Sequence, residues 1–147
     1  WAASANNEQP WEYVYAHKDT PGFQQLWECL MPGNQPWAKN AALLVVSIAR
    51  KTFAANGNPN GSAPHVLGMA NANLLLQAGS VDIFGHPIGG FDRAKATALL
   101  QLDENRAPLC MFALGYLGEA DALEEPFKTR ELTPRSRKPL ESFVTAL

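Results

Sequence analysis

The feature that most constrains this chain is "AALLVVSIA", Ala41–Ala49, a run in which Ser47 is the only polar residue. A strand with one wet face alternates apolar and polar side chains, whereas one covered on both faces reads as a continuous apolar block. The run therefore predicts a strand central in a sheet, with material packed above and below it. "PLCMFALGYLG", Pro108–Gly118, predicts a second buried strand. Neither approaches the roughly 20 residues a membrane helix needs, so a soluble protein is expected. At 147 residues, one domain spanning 1–147 is expected. A chain of this size buries about two thirds of its unfolded surface, and many such domains complete their core with a second copy.

Elements of both kinds surround these strands. Trp11, Tyr13 and Tyr15 alternate with smaller or polar residues, which predicts a strand with an aromatic face. Phe23, Leu26, Trp27 and Leu30 follow helical spacing between Pro21 and Pro32-Gly33. "ANGNPNGSAP", Ala55–Pro64, reads as a loop, and its Asn60-Gly61-Ser62 sequon as an accident of composition. "MANANLLLQA", Met69–Ala78, predicts a buried helix, and Asp92 is placed to cap a helix over "RAKATALLQL". Beyond Gly118 the chain is polar and punctuated by Pro, ending in an apparently helical "LESFVTAL". It carries Phe127, Leu132, Leu140, Phe143 and Val144 with too little chain around them to form a core, so an arm that packs on a partner subunit is expected.

The chemistry is hard to find among side chains. A formal charge of −2 argues against nucleic acid as the main partner, although Lys128, Arg130, Arg135, Arg137 and Lys138 cluster near the end. Cys29 and Cys110 lack metal-ligand spacing and fit a reducing compartment, so cytoplasm is the default and no metal is expected. There is no G-x-G-x-x-G, G-K-[ST], H-E-x-x-H or G-x-S-x-G sequence. His17, His65 and His86 have no partners at ligand spacing, and Ser80, Asp82 and His86 match no established hydrolase arrangement. An enzyme built this way takes its chemistry from a cofactor. The polar loop "SANNEQPW", Ser4–Trp11, is turn chemistry by composition, and residue 1 is Trp with no Met or leader before it, so the chain reads as part of something longer.

Five stretches in order, "SANNEQPW", "MPGNQPWAKNAALLVV", "GMANANLLLQA", "HPIGGFD" and "TPRSRKPLESFV", resemble the nitroreductase family of FMN-dependent oxidoreductases over essentially the whole chain. The family's N-terminal Arg/Ser phosphate-binding segment is not represented. The resemblance implies an α+β fold with a central, mainly antiparallel sheet flanked by helices, and a C-terminal arm wrapping the partner subunit. It also implies a homodimer with FMN at the interface, each site drawing on both chains. Ser4, Asn7 and Gln9 then correspond to the loop one subunit lays against the other's flavin, with backbone from Ala3 and Ala5. The family often has Pro and Ser at those last two positions.

By the same resemblance, Asn34 reads the polar edge of the ring. Pro87, Ile88, Gly89 and Gly90 form the loop under it, with the Gly89 N–H near flavin N5, and Arg135 and Arg137 grip the phosphate. "SVDIFG" and Val66 depart from the family pattern at structural positions. The implied activity is hydride transfer from NAD(P)H through flavin N5 to nitroaromatic, quinone or similar small electron-poor acceptors in ping-pong order, with no catalytic side chain. The alternative is a non-catalytic flavin-binding or storage protein on the same fold. The chemistry agrees with the residue types: amides offer both donor and acceptor to a pyrimidine edge, Arg binds phosphate bidentately, and glycine permits close approach of backbone to a ring.

Overall fold

The Ala41–Ala49 run forms β2 (Leu43–Arg50), flanked by β1 (Trp11–His17) and β4 (Arg106–Gly115) in a computed structural model that describes all of residues 1–147. With β3 (Phe84–Ile88) the sheet has the order β1-β2-β4-β3, and every neighbouring pair is antiparallel. The expected α+β fold with an antiparallel sheet is thus the observed one. β2 is covered on both faces. Leu44, Val46 and Ile48 point to the side of α1 (Pro21–Trp27), α2 (Gln35–Ala38) and α4 (Arg93–Leu99), where they join Phe23, Leu26, Ala38 and Ala96. Val45 and Ala49 point the other way, toward Leu67, Leu74 and Leu75 of α3 (Ala63–Gly79).

A row of polar groups lies within this second face, with Ser47 buried at its centre. Tyr13, Ser47 and Cys110 lie side by side across β1, β2 and β4. The Tyr13 hydroxyl donates to Asn71 Oδ1 at 2.9 Å, Asn71 Nδ2 donates to Ser47 Oγ at 3.2 Å, and Ser47 Oγ donates to the Cys110 carbonyl at 3.1 Å. Ser47 is wholly buried, yet no buried side-chain polar atom lacks a partner. Immediately beyond, the register slips: Ser47 faces Cys110 but Ile48 faces Pro108, leaving Leu109 as the extra residue of a bulge.

Several boundaries differ from the sequence expectation. α1 has the expected cap, with Thr20 Oγ1 accepting from the Phe23 N–H, but it ends at Trp27 and does not run to Leu30. Leu30 instead bridges Phe91, and the Met31 N–H donates to the Gly90 carbonyl, so a distant loop takes the backbone that would have continued the helix. α4 is capped by Asp92, as expected, and stops at Leu99. α3 begins at Ala63, earlier than expected. In its first half Ala63, Val66, Leu67 and Ala70 are buried, but Leu76 is 73% exposed, because the helix is apolar on more sides than the sheet can cover. Asn60 is buried with its Oδ1 accepting from the Ser62 N–H and hydroxyl, an internal turn consistent with an accidental sequon.

The chain separates into two compact units, Trp1–Leu117 and Gly118–Leu147. The second holds α5 (Phe127–Leu132) between two single 3₁₀ turns, Ala120–Ala122 and Leu140–Ser142. "LESFVTAL" is therefore one turn and not a helix. None of this unit's residues is buried, and Leu132, Leu140, Phe143 and Val144 are each more than half exposed. No helix is long and apolar enough to cross a membrane.

Burial pushes the Tyr13 phenol up to about 12. The unfolded chain releases that proton from about pH 10, so between the two values the folded state binds more protons and stability falls as pH rises. Tyr13→Phe is expected to flatten the fall in thermal midpoint between about pH 10 and 12, and an unchanged slope would refute the assignment. Asn71→Ala, which strands the Tyr13 hydroxyl and removes one donor from Ser47 Oγ, is expected to cost roughly 1–3 kcal/mol in denaturant unfolding.

Candidate functional site

Two loops flank the sheet, and both leave it at the end where β4 begins. Ser4–Pro10 leads into Trp11, which faces Ala49, itself opposite Ala107; β3 runs toward that same end and finishes at Ile88, opposite Met111. The strands that carry the loops are the two edges of the sheet. Three strand spacings of about 4.8 Å put them roughly 14 Å apart.

The β3 loop is built around a glycine pair. An edge strand tolerates Pro only where no N–H is needed for the ladder, so Pro87 occupies an outward-facing position. Gly89, two residues on, faces outward as well, and its N–H donates to no acceptor in the chain. A Cβ added at Gly89 would meet nothing within 4 Å, whereas one at Gly90 would lie 2.7 Å from Asn34 Nδ2. Gly90 is therefore the residue that lets Asn34 approach. Asn34 stands at the start of α2 without capping it and donates through Nδ2 to the Gly90 carbonyl at 2.9 Å. Its Oδ1 and second amide proton remain uncommitted. Asn34, Gly89 and Gly90 thus converge on one open surface, with Pro87 exposed beside them and Ile88 buried as their anchor.

The loop before β1 is held by its own polar groups. Ser4 Oγ accepts from the Gln9 N–H at 2.7 Å, and Asn6, Asn7 and Gln9 all adopt positive φ, a region that Asn tolerates better than most residues. Ser4 is thereby a structural tie, while the Asn7 and Gln9 side chains are exposed, as is Ala5 with Ala3. Ser4, Asn7 and Gln9 are not brought to Asn34 and Gly89 within one chain, because they sit on the opposite edge. Arg135 and Arg137 belong to the second unit, where both are exposed and neither pairs with a carboxylate; the Arg137 guanidinium donates to the Ser136 carbonyl at 2.8 Å.

Other side chains near these loops were not singled out by motif. Glu8 Oε1 accepts from the Ala54 N–H at 2.6 Å, fastening the turn at Phe53–Asn58 to the Ser4–Gln9 loop. A lone carboxylate inside a neutral polar loop is the signal that could have revealed it. His86 packs against Trp37, one turn beyond Asn34, with ring centroids 4.5 Å apart and the planes tilted by 53°. Ser80 is engaged with Gln77 and is not assembled with His86 into a hydrolytic set. Burial pushes up both thiols, Cys29 and Cys110, so neither is poised as a nucleophile. No group of three or more His, Cys, Asp or Glu side chains is placed to hold a metal ion.

An oxidoreductase containing FMN, known from its crystal structure, is 32% identical to this chain, superposes with a TM-score of 0.92, and is matched over 99% of this chain and 74% of its own. The same fold recurs in a nitroreductase family protein from Clostridium difficile 630, with TM-score 0.71, 18% identity and coverage of 98% and 77%. It recurs again in the nitroreductase family protein of Streptococcus pneumoniae TIGR4, with TM-score 0.73, 18% identity and coverage of 99% and 83%. The chain belongs to the nitroreductase family of FMN-dependent oxidoreductases. No family model matches the sequence. An uncharacterized 15.4 kDa protein in the ask 5′ region of Mycolicibacterium smegmatis is 36% identical over 77 residues, so the matched part spans about half of that curated relative, 52% of its length.

For this nitroreductase-family chain the Glu8 tie gives a direct test. Glu8→Ala is expected to raise amide exchange at Ala54 roughly tenfold, the loss of one charge-assisted hydrogen bond, with Glu8→Gln restoring most of the protection. Equal exchange in all three proteins would remove Glu8 from this role.

Proposed function

We propose that this chain binds FMN and works as an NAD(P)H oxidoreductase with the flavin held between two copies of the chain. The observation that carries the reading is the Asn34–Gly90 contact beside the unpartnered Gly89 N–H. Together these residues offer an amide edge, a free backbone donor and a surface without side chains, which is what a planar heteroaromatic ring requires. Asn34 Oδ1 and its free amide proton would address the polar edge of the ring, and the Gly89 N–H its central nitrogen. Held there, FMN would supply the redox chemistry, carrying a hydride from NAD(P)H through N5 to a nitroaromatic, quinone or similar small electron-poor acceptor that takes up a solvent proton with it.

The placement of the loops supports a homodimer. Asn7 and Gln9 face outward on the edge opposite Asn34 and Gly89, so a site that uses both sets needs them from different chains. The exposed apolar side chains point the same way, with Leu76 and Val81 at the end of α3 and Phe143 and Val144 in the second unit. That second unit is the arm proposed to wrap the partner. Its Arg135 and Arg137, free of carboxylates, are the proposed grip on the FMN phosphate.

Anaerobic NAD(P)H is expected to bleach the flavin absorbance of the purified protein, and double-reciprocal plots at several acceptor concentrations are expected to be parallel, because donor and acceptor take turns at one open face. A flavin band that NAD(P)H leaves intact would instead indicate a flavin-binding protein without this activity. Arg137→Gln is expected to weaken FMN binding about ten- to a hundredfold while leaving riboflavin, which lacks the phosphate, nearly unaffected. Equal loss of both ligands would return Arg137 to a solvated surface role.

A further inference from the structure

A concavity of about 530 Å³ lies between α4 and the start of β4. Arg93, Thr97 and Gln101 form its polar wall, a single stripe at helical spacing that continues past the end of α4. Pro108 and Leu102 form the apolar wall with the Leu109 backbone beside them, the Leu109 side chain being packed on the α3 face, and Ala94 and Ala98 leave the floor open.

Its two ends differ in charge. At the far end the Arg106 guanidinium is neutralised by Asp103 at 3.3 Å and Glu12 at 3.7 Å. At the near end Arg93 has no carboxylate partner. It is held in place by neutral groups, lying over the Phe91 ring with 4.9 Å from its guanidinium carbon to the ring centroid, and donating to the Leu109 carbonyl at 3.4 Å. That carbonyl belongs to the bulge residue, which the register slip leaves unpaired in the ladder. Asp92, its neighbour in sequence, is committed to the Lys95 N–H. A guanidinium fixed by a ring and a carbonyl, with its charge uncompensated, is an anion site in waiting.

We propose that this groove receives the adenosine-phosphate half of the pyridine dinucleotide, with a phosphate on Arg93 and the adenosine between Thr97 and Gln101 on one side and Leu102 and Pro108 on the other. The proposal rests on the NAD(P)H reading above and names the donor's second contact. Position supports it. Arg93 follows Gly89 by four residues, at most about 15 Å of Cα path, so one extended dinucleotide can touch both. The polarity of the groove fixes the direction, because only the end nearest the glycine pair carries free positive charge.

The test uses ADP-ribose, which has the adenosine diphosphate of the donor and no nicotinamide, and so reports on the groove without electron transfer. Calorimetric titration of the full chain is expected to show binding that weakens about tenfold or more in Arg93→Ala, weakens with added salt, and recovers partly in Arg93→Lys. Adenosine, without phosphate, is expected to distinguish the variants little. Ala98→Trp fills the groove from an exposed position and is expected to block ADP-ribose even if Arg93→Ala fails to fold. Failure of ADP-ribose to bind the unaltered chain at millimolar concentration, or equal binding to the unaltered chain, Arg93→Ala and Ala98→Trp, would overturn the proposal. The two readings fail separately: ADP-ribose held by Arg93 with no bleaching by NAD(P)H would retain the groove and remove the hydride donor, and bleaching without ADP-ribose binding would do the reverse.

Discussion

Everything in the first unit follows from covering β2 on two faces at once. A strand with Leu44, Val46 and Ile48 on one side and Val45, Ser47 and Ala49 on the other, all buried, needs hydrogen-bonding neighbours at both edges and helices above and below. β1 and β4 supply the ladders, and α3 alone covers one face while three short helices cover the other. Chemistry is thereby excluded from the middle of the molecule. The open backbone, the glycine pair and the polar loop are all at the edges, where the ladder stops and groups such as the Gly89 N–H are left without partners.

The hydrogen-bonded row Tyr13–Asn71–Ser47–Cys110 fixes how those edges relate. It spans β1, β2 and β4 with one contribution from α3, and each member would be costly to leave unpaired. A slip of one residue in any of these ladders would turn a hydroxyl out of the row and an apolar side chain into it. The same row ends where Leu109 bulges, and the bulge frees the carbonyl that holds Arg93. One internal constraint thus sets the register of the sheet and the position of a cation on its surface.

How much of this was legible in the sequence depends on the distance over which each signal acts. The double burial of β2, the Thr20 and Asp92 caps and the aromatic alternation of β1 are local patterns, and each can be read from a few residues. The end of α1 could not be read that way. Leu30 and Met31 continue the helical spacing, and only the arrival of Gly90 and Phe91, some 60 residues later, diverts their backbone. For the site, the motif order marked Asn34 and the glycine pair, but not that Asn34 spends one amide proton on Gly90, nor that Ser4 is occupied with Gln9. Glu8, Trp37 and His86 lie within the quoted stretches without a role assigned there, and Arg93 lies just past the last residue of "HPIGGFD", since their roles depend on partners that no fixed spacing encodes.

The division of the candidate site between two edges also bears on why a chain of this length would carry so much exposed apolar surface. A sheet closed into a barrel would have no edges, and one capped by further strands would bury Gly89 and silence its N–H. Leaving both edges open keeps the glycine pair and the Asn7–Gln9 loop available, at the cost of exposed side chains such as Tyr15 on β1 and Phe84 on β3. The proposed homodimer would reconcile these demands, because a partner that lays its Asn7–Gln9 loop against Asn34 and Gly89 covers apolar surface and completes the site in the same step, without adding a strand to the β3 edge. Stability and cofactor binding would then be linked by mass action, the flavin strengthening the assembly that forms its own site.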